Sequence, residues 1–358
     1  MSDNTKIEWA DATVNAVNGC DPVSPGCTNC YAMKQAHRFP ARAGLTTKTK
    51  GGMVWTGEVR FNEKQLLLPL GWKRPRRIFW NAHGDLFHKS VPDEWIDRVF
   101  AVCALTPQHT HMILTKRSAR MREYINAKRA NAPEWVSCPD DPGSRVLLPY
   151  EGGVPTNVWL GVSVEDQTRA DERVPDLLAT PAAVRFISAE PLLGPVDLNS
   201  IKLVDYVTEG GGSVQGWESV LNGKRFDEWA DGDSEGWPKL DWVICGGESG
   251  PPHARPMHPD WARSLRDQCA AAGVAFHFKQ WGEWVPWAGA VDGWTIPDNP
   301  EISRYEWRDW EGDDWGKPFT KGWQDEVDDD TVSRIGKKRA GRLLDGVEHN
   351  GLPGQPSA

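Results

Sequence analysis

No stretch of this sequence approaches the run of about 20 apolar residues that a membrane-spanning helix requires. The N-terminus, Met1-Ser-Asp-Asn-Thr-Lys, has no basic start followed by an apolar run, so no signal peptide is expected. No repeat of fixed period is visible, which argues against a solenoid. Positive charge is not in excess: the net charge is −9, against a protein that coats nucleic acid by bulk electrostatics. A zinc deaminase is set aside because the chain has no His-x-Glu with a paired-cysteine motif. Hydrophobic content, 39%, is modest.

Tryptophan, by contrast, is abundant. The 358 residues include 20 Trp, so much of the apolar surface is carried by indoles, which also stack on flat substrates. The length suits one large domain or two ordinary ones. Seven cysteines without a secretory signal fit a reducing cytoplasm, where clustered thiols read as metal ligands rather than disulfides.

Three of those cysteines lie close together, in Gly19-Cys20-Asp-Pro-Val-Ser-Pro-Gly-Cys27-Thr-Asn-Cys30. Three thiolates leave one coordination position open, as catalytic sites require. Two metal readings follow. In one, Cys20, Cys27 and Cys30 hold a 4Fe–4S cluster whose fourth iron binds a cofactor or substrate. In the other, they bind zinc with a histidine such as His37, and the chain is a non-catalytic zinc-stapled barrel that recruits a partner protein or nucleic acid. Unligated thiols are the remaining alternative.

Short β-branched and aromatic runs alternate with amphipathic patterns. Strands are expected at Ile78–Asn81, His111–Thr115, Val158–Val162, Val184–Ser188, Trp242–Gly246 and Val274–Phe278, with a first strand within Ile7–Val17. Helices are expected at Asn29–Arg38, Asn62–Leu70, Pro92–Leu105, Ser118–Ala130, Asp166–Leu178 and Pro259–Ala272. Such alternation predicts an α/β fold: a full or partial (β/α) TIM-like barrel with Gly- and Trp-rich insertions, an open doubly wound sheet being the alternative. The expected organisation is a core over 1–284 with an insert at 197–240, an acidic Trp-rich excursion at 285–340, and a C-terminal segment at 341–358. The last residues, 351–358, are expected to be disordered.

Polar residues follow nearly every strand, and in a barrel they share one face. Gly246-Gly247-Glu248 permits close backbone approach to a ligand, and Glu248 could bind ribose hydroxyls or an ammonium; the bland alternative is a Gly-rich turn. Ser163, Glu165 and Glu190 stand just past strands, with Asp166 read as favouring the helix that follows. Asp85 is read as hydrogen-bonded, with His83 and His88 as ordinary surface histidines. Lys116, Arg117 and Lys279 end strands and could pair with phosphate or carboxylate. Lys73-Arg74-Pro-Arg76-Arg77 and the helix bearing Arg117, Arg120, Arg122, Lys128 and Arg129 could guide a nucleic-acid strand, although basic runs are more often solvated surface.

Taken as a set, certain motifs resemble one family. They are Ile7-Glu-Trp9, the cysteine run through Tyr31-Ala32, Gly84-Asp85-Leu-Phe87-His88, Leu114-Thr-Lys116-Arg117, Trp159-Leu-Gly-Val-Ser163, Ser188-Ala-Glu-Pro-Leu-Leu-Gly-Pro195, Gly246-Gly-Glu-Ser-Gly250 and Phe278-Lys-Gln-Trp-Gly282. Together they are similar to the phage gene-product 37 / gene-product 68 family, from about residue 5 to 284 and again at Gly341–Gly346. That family is likened to radical S-adenosylmethionine enzymes and is often encoded beside a three-cysteine-motif partner protein. The resemblance implies a 4Fe–4S cluster on Cys20, Cys27 and Cys30, with S-adenosylmethionine bound at the open iron. Asp85, Ser163, Glu165, Glu190, Gly246, Gly247 and Glu248 would line the cofactor site, and Lys116, Arg117 and Lys279 would hold an anionic part of the substrate. A nucleobase, nucleotide or nucleic acid is the implied substrate, and the cytoplasm of a phage host the implied location. The chain departs from the superfamily's commonest motif: the first cysteine gap is six residues, and an aromatic residue follows the third cysteine instead of preceding it.

Overall fold

A computed structural model describes residues 5–36, 39, 42–130, 135–138, 141–147, 154–203, 206–207, 213–214, 216–227, 236–250, 253–286, 304–306 and 331–354. Seven strands form one sheet in sequence order: β1 (Ala12–Val14), β2 (Arg77–Trp80), β3 (Thr110–Thr115), β4 (Val158–Ser163), β5 (Val184–Ala189), β6 (Trp242–Gly246) and β7 (Ala275–Gln280). Neighbours pair in parallel, for example Ala12 opposite Ile78, and Trp242 opposite Ala275. Parallel strands in sequential order with helices between them make a partial TIM-like barrel. The strands are apolar at nearly every position because both faces are covered: Ile78, Phe79 and Trp80 are all buried, as is every residue of β6.

The helices of six or more residues are α1 (Tyr31–Ala36), α2 (Asp93–Leu105), α3 (Ser118–Ala130), α4 (Gln167–Leu178) and α5 (Pro259–Ala272). Helix α2 turns Ile96, Val99, Phe100 and Cys103 inward at helical spacing. Helix α5 shows its limits chemically. The His258 side chain accepts from the Asp260 amide, Pro259 occupies the first turn, and Gly273 ends the helix at φ +66°. Asp166 likewise caps α4, its carboxylate accepting from the Arg169 amide at 2.8 Å. The helix expected over Asn62–Leu70 is instead a four-residue helix, Glu63–Leu66, then a 3₁₀ turn at Leu68–Gly71. Pro69 has no amide to continue an α-helical ladder.

Two compact units divide the chain. The first comprises Met1–Ser163, Asp171–Ile187 and Pro238–Asp241; the second comprises Val164–Ala170, Ser188–Trp237 and Trp242–Ala358. Within the second, the 197–240 insert contributes a small antiparallel sheet of Ile201–Lys202, Gly216–Ser219 and Lys224–Asp227. The later sequence returns to β7: the Phe278 amide donates to the His349 carbonyl and the Gly351 amide to the Phe276 carbonyl, both at 2.9 Å. Farther along, Thr331–Arg334 pairs with Trp284–Pro286. Most of the 285–340 excursion lies outside the described residues, as do 355–358 of the expected disordered end. Among the described residues, no helix is long and apolar enough to cross a membrane.

Candidate functional site

The cysteine loop leaves the first sheet strand through Gly19. Its φ of +99° and a would-be Cβ only 2.0 Å from the Glu58 carbonyl admit no side chain. Gly84 meets the same constraint, its Cβ position lying 2.6 Å from the Val17 carbonyl. These two bare positions let Gly19 bridge Gly84, the Gly19 amide donating to the His83 carbonyl at 3.0 Å. The loop is thereby tied to the turn after β2.

Beyond Gly19, a 3₁₀ turn at Pro25–Cys27 carries the chain into α1. Cys27 is buried, whereas Cys20 and Cys30 are half-buried and pack against a cluster of Ala32, Met33, Ala36, Leu45 and Trp55. Burial, then the Asp85 carboxylate, pushes the Cys20 thiol up to about 12. Cys27 and Cys30 add to the rise, and Arg117 opposes it. Burial also raises Cys30, against hydrogen bonds from the Met33 and Ala32 amides and the charge of Lys116. Cys27 is thus within electrostatic reach of both Cys20 and Cys30, with Arg117 acting toward thiolate at Cys20 and two amides and Lys116 acting toward it at Cys30. That donor set suits a thiolate-bound metal. Among the described residues, no group of three or more His, Cys, Asp or Glu side chains stands at metal-ligand geometry. His37, the candidate fourth zinc ligand, lies outside them.

A polar clamp holds this loop. Asp85, buried, accepts from the Thr115 hydroxyl at 2.7 Å, the Phe87 amide at 3.0 Å and the Lys116 amide at 3.1 Å. Arg117 bonds Asp85 at 2.9 Å, and its other terminal nitrogen bonds the Asp21 carboxylate and carbonyl. Asp21 also meets Lys89 at 3.0 Å and His88 Nε2 at 2.9 Å. The reading of His88 as a surface histidine is therefore corrected: it is fully buried. Its Nδ1 accepts from the Ser90 amide, which leaves the Nε2 proton facing Asp21. In this unit Ser163 is buried, its carbonyl accepting from Arg173 at 2.8 Å.

In the second unit Glu190 follows β5. Lys279 Nζ lies 2.7 Å from both of its carboxylate oxygens, and Gln280 donates to it at 3.0 Å. Gly246 sits against Glu190 and Lys279 with room for an ordinary 3.5 Å contact. Gly247 has no such room: a Cβ there would lie 2.0 Å from the Trp281 carbonyl. Glu248 is engaged by Arg255, its carboxylate accepting from the Arg255 amide at 2.8 Å and from Arg255 Nε at 3.0 Å. Glu165 is fully buried, and its carbonyl accepts from Leu193 at 2.7 Å.

The family described as "Protein of unknown function (DUF5131)" matches this sequence over residues 4–353. The chain belongs to the DUF5131 family. No curated protein matches it in sequence. Among solved structures, a spore photoproduct lyase complexed with dinucleoside spore photoproduct is similar at 10% identity. That likeness covers 76% of this chain and 75% of the other, with a TM-score of 0.38, and supports no argument about this DUF5131 chain's chemistry.

Of the residues singled out in sequence, the first unit gathers Cys20, Cys27, Cys30, Asp85, Lys116 and Arg117, and the second gathers Glu190, Gly246 and Lys279. Sequence reasoning missed Asp21, Lys89 and Arg255, whereas Gln280 stood with Lys279 among the polar residues at strand ends. Asp21 carried a signal: it is the last carboxylate before Glu58, directly after Cys20. Arg255 carried only its nearness, seven residues after Glu248, with no periodic element between them to fix the pairing.

Proposed function

We propose that this chain is an iron–sulfur enzyme of the radical S-adenosylmethionine type, with Cys20, Cys27 and Cys30 as ligands of a 4Fe–4S cluster. The observation that carries the reading is the trio: three sulfurs on one loop after the first strand of a parallel sheet, Cys20 and Cys30 packed on one apolar cluster and Cys27 acting electrostatically on both. When bound, such a cluster supplies the electron that cleaves the sulfonium of S-adenosylmethionine and starts hydrogen abstraction from a substrate. The chain's own residues prepare the loop. The Ala32 and Met33 amides favour thiolate at Cys30, and Lys116 and Arg117 offset the negative charge of three thiolates.

Asp85 and Arg117, each bonded within the protein, are assigned to positioning the loop rather than to ligand contact. In the second unit Glu190, fixed by Lys279 and Gln280, presents a carboxylate suited to a ribose hydroxyl or an ammonium, with Gly246 beside it. Ser163, Glu165, Gly247 and Glu248 are assigned to support of these strand ends. A nucleobase, nucleotide or nucleic acid as substrate, a three-cysteine-motif protein as partner and the host cytoplasm as location complete the proposal.

Anaerobic purification, reconstitution with iron and sulfide, and electron paramagnetic resonance after reduction test it. The expected result is a 4Fe–4S signal that changes when S-adenosylmethionine is added. Cys27→Ala should lose the iron while its circular dichroism stays that of the parent. Stoichiometric zinc with no cluster signal would instead establish the zinc-stapled barrel and overturn this reading.

A further inference from the structure

Asn81, the first residue after β2, is 4% exposed and takes a left-handed backbone, φ +58°. Among the described residues, only Asp345 also does so without being glycine. Glycine would hold that conformation without strain. The asparagine adds a second cost, because its amide nitrogen is buried and makes no hydrogen bond. What the side chain returns is one contact: its amide oxygen accepts from the Val17 amide at 2.8 Å. Asn15, the first residue after β1, does the same in reverse, its amide oxygen accepting from the His83 amide at 3.1 Å. Each asparagine thus takes the amide two residues past the other. Pairing of the two chains continues through side chains beyond Val14 and Trp80, where the backbone register ends.

The turn that Asn81 opens receives both ends of the cysteine run. Ahead of Cys20, the Gly19 amide donates to the His83 carbonyl at 3.0 Å. Behind Cys30, the Tyr31 hydroxyl donates to the Ala82 carbonyl at 2.8 Å. The Gly84 amide closes the turn on the Asn81 carbonyl at 3.0 Å. The two carbonyls that follow the left-handed residue are therefore the two that the loop uses. All of these residues lie in the first unit. Strands β1 and β2 are already in register through Ala12–Val14 and Ile78–Trp80. The asparagine contacts act on what comes after the strands: Val17, Gly19 and, through them, Cys20.

We infer that Asn81 is a positioning residue for the cysteine trio. Its side chain and its left-handed turn together set how far apart Cys20 and Cys30 are held. The inference rests on the reading of the trio as cluster ligands, but the turn holds the loop with no cluster bound and is testable in that state. Backbone conformation alone does not account for the residue, because glycine would supply it without burying an unpaired donor.

The test is alkylation of the metal-free, full-length protein by iodoacetamide, read cysteine by cysteine in a mass spectrometer. Cys103, buried in the same unit, reports global unfolding. Asn81→Gly keeps the backbone conformation and removes the side chain. It should speed alkylation of Cys20 and Cys30 about fivefold while Cys103 stays at the parental rate, as expected for one hydrogen bond lost from a local opening. Tyr31→Phe, at an exposed ring, should speed Cys30 about threefold and leave Cys20 unchanged. Asn157→Ala is the control. Its side chain bonds the Cys103, Thr106 and His109 carbonyls ahead of β4, so it should destabilise the protein yet leave Cys20 and Cys30 at parental rates. After reconstitution, Asn81→Gly should bind less iron, and its reduced cluster should give an electron paramagnetic resonance signal displaced from the parent's. Asn157→Ala should give the parent's signal. Three outcomes overturn the inference: Asn81→Gly with both sulfurs within about twofold of the parent, equal acceleration of Cys103, or acceleration of Cys20 and Cys30 by Asn157→Ala. If Asn81→Gly does not fold, Tyr31→Phe decides, and Cys30 at the parental rate overturns it. A parent that shows these contrasts but forms no cluster defeats the metal reading alone; a parent that loads iron without them defeats this inference alone.

Discussion

Replacing Arg117 with methionine removes the charge that ties three segments together while keeping most of the buried stem. Arg117 is 12% exposed, and its partners Asp85 and Asp21 are 7% and 22% exposed. Stripping one partner from a buried ion pair costs about 3–5 kcal/mol, because the other charge stays buried without compensation. Here the lower end applies. Asp85 keeps its bonds from Thr115, Phe87 and Lys116, and Asp21 keeps Lys89 and His88. A loss of about 3 kcal/mol lowers the melting temperature by roughly 4 °C, at about 1.3 °C per kcal/mol for a chain of 358 residues. Thermal unfolding followed by circular dichroism reads this directly, and iron bound per chain after reconstitution reads the loop. A double-mutant cycle with Asp85→Asn should be non-additive by about 1–3 kcal/mol. An Arg117→Met protein that melts within about 1 °C of its parent and loads iron normally would refute the clamp.

Three further outcomes are expected. Burial pushes His111 down to about 3; its Nδ1 accepts from Trp80 Nε1 at 3.0 Å and its Nε2 lies 2.9 Å from the Thr106 hydroxyl. The unfolded chain takes up this proton below about 6.5 and the folded chain does not, so stability is complete above that pH and declines as pH falls toward 3. Urea unfolding should show His111 contributing about 2 kcal/mol of loss between pH 6.5 and 5, absent in His111→Gln. Burial and Arg42 lower His83 to about 4, so part of the acid sensitivity should survive in that variant. Gly247→Ala, whose Cβ would sit 2.0 Å from the Trp281 carbonyl, should melt well below its parent, whereas Gly246→Ala, with 3.5 Å contacts, should melt close to it.

Much of the barrel was readable because its strands are continuous apolar runs. Trp242–Gly246 has the limits its sequence suggests, and Ser118–Ala130 and Pro259–Ala272 begin and end where expected. The cysteine trio and Asp85 were legible as chemistry, since their residue types and spacing need no fold to be noticed. What escaped was partnership. Helix α3 reads as a basic stripe, yet its carboxylates come from α2 and α4, distant in sequence. Glu248 read as a ligand-binding carboxylate because the loop from Ser249 to Arg255 has no regular spacing that would fold the guanidinium back onto it. His88 looked like surface because its partner Asp21 lies 67 residues earlier in the chain. Long-range charge pairing has no periodicity, so composition misassigns its members while locating the strands correctly.

The return of residues 349–351 to β7 has a consequence for biosynthesis. That strand emerges from the ribosome long before the segment that hydrogen-bonds its free edge, and the Trp242 indole also waits for the Gly351 carbonyl. Until then the edge is a template to which another nascent chain could add. Synthesis of residues 349–351 is the event that seals it. By the same logic, a single proteolytic cut between 287 and 330 would not release the later fragment. Thr331–Arg334 would remain zipped to Trp284–Pro286 and Gly351 to Phe276, leaving two polypeptides that behave as one until denatured.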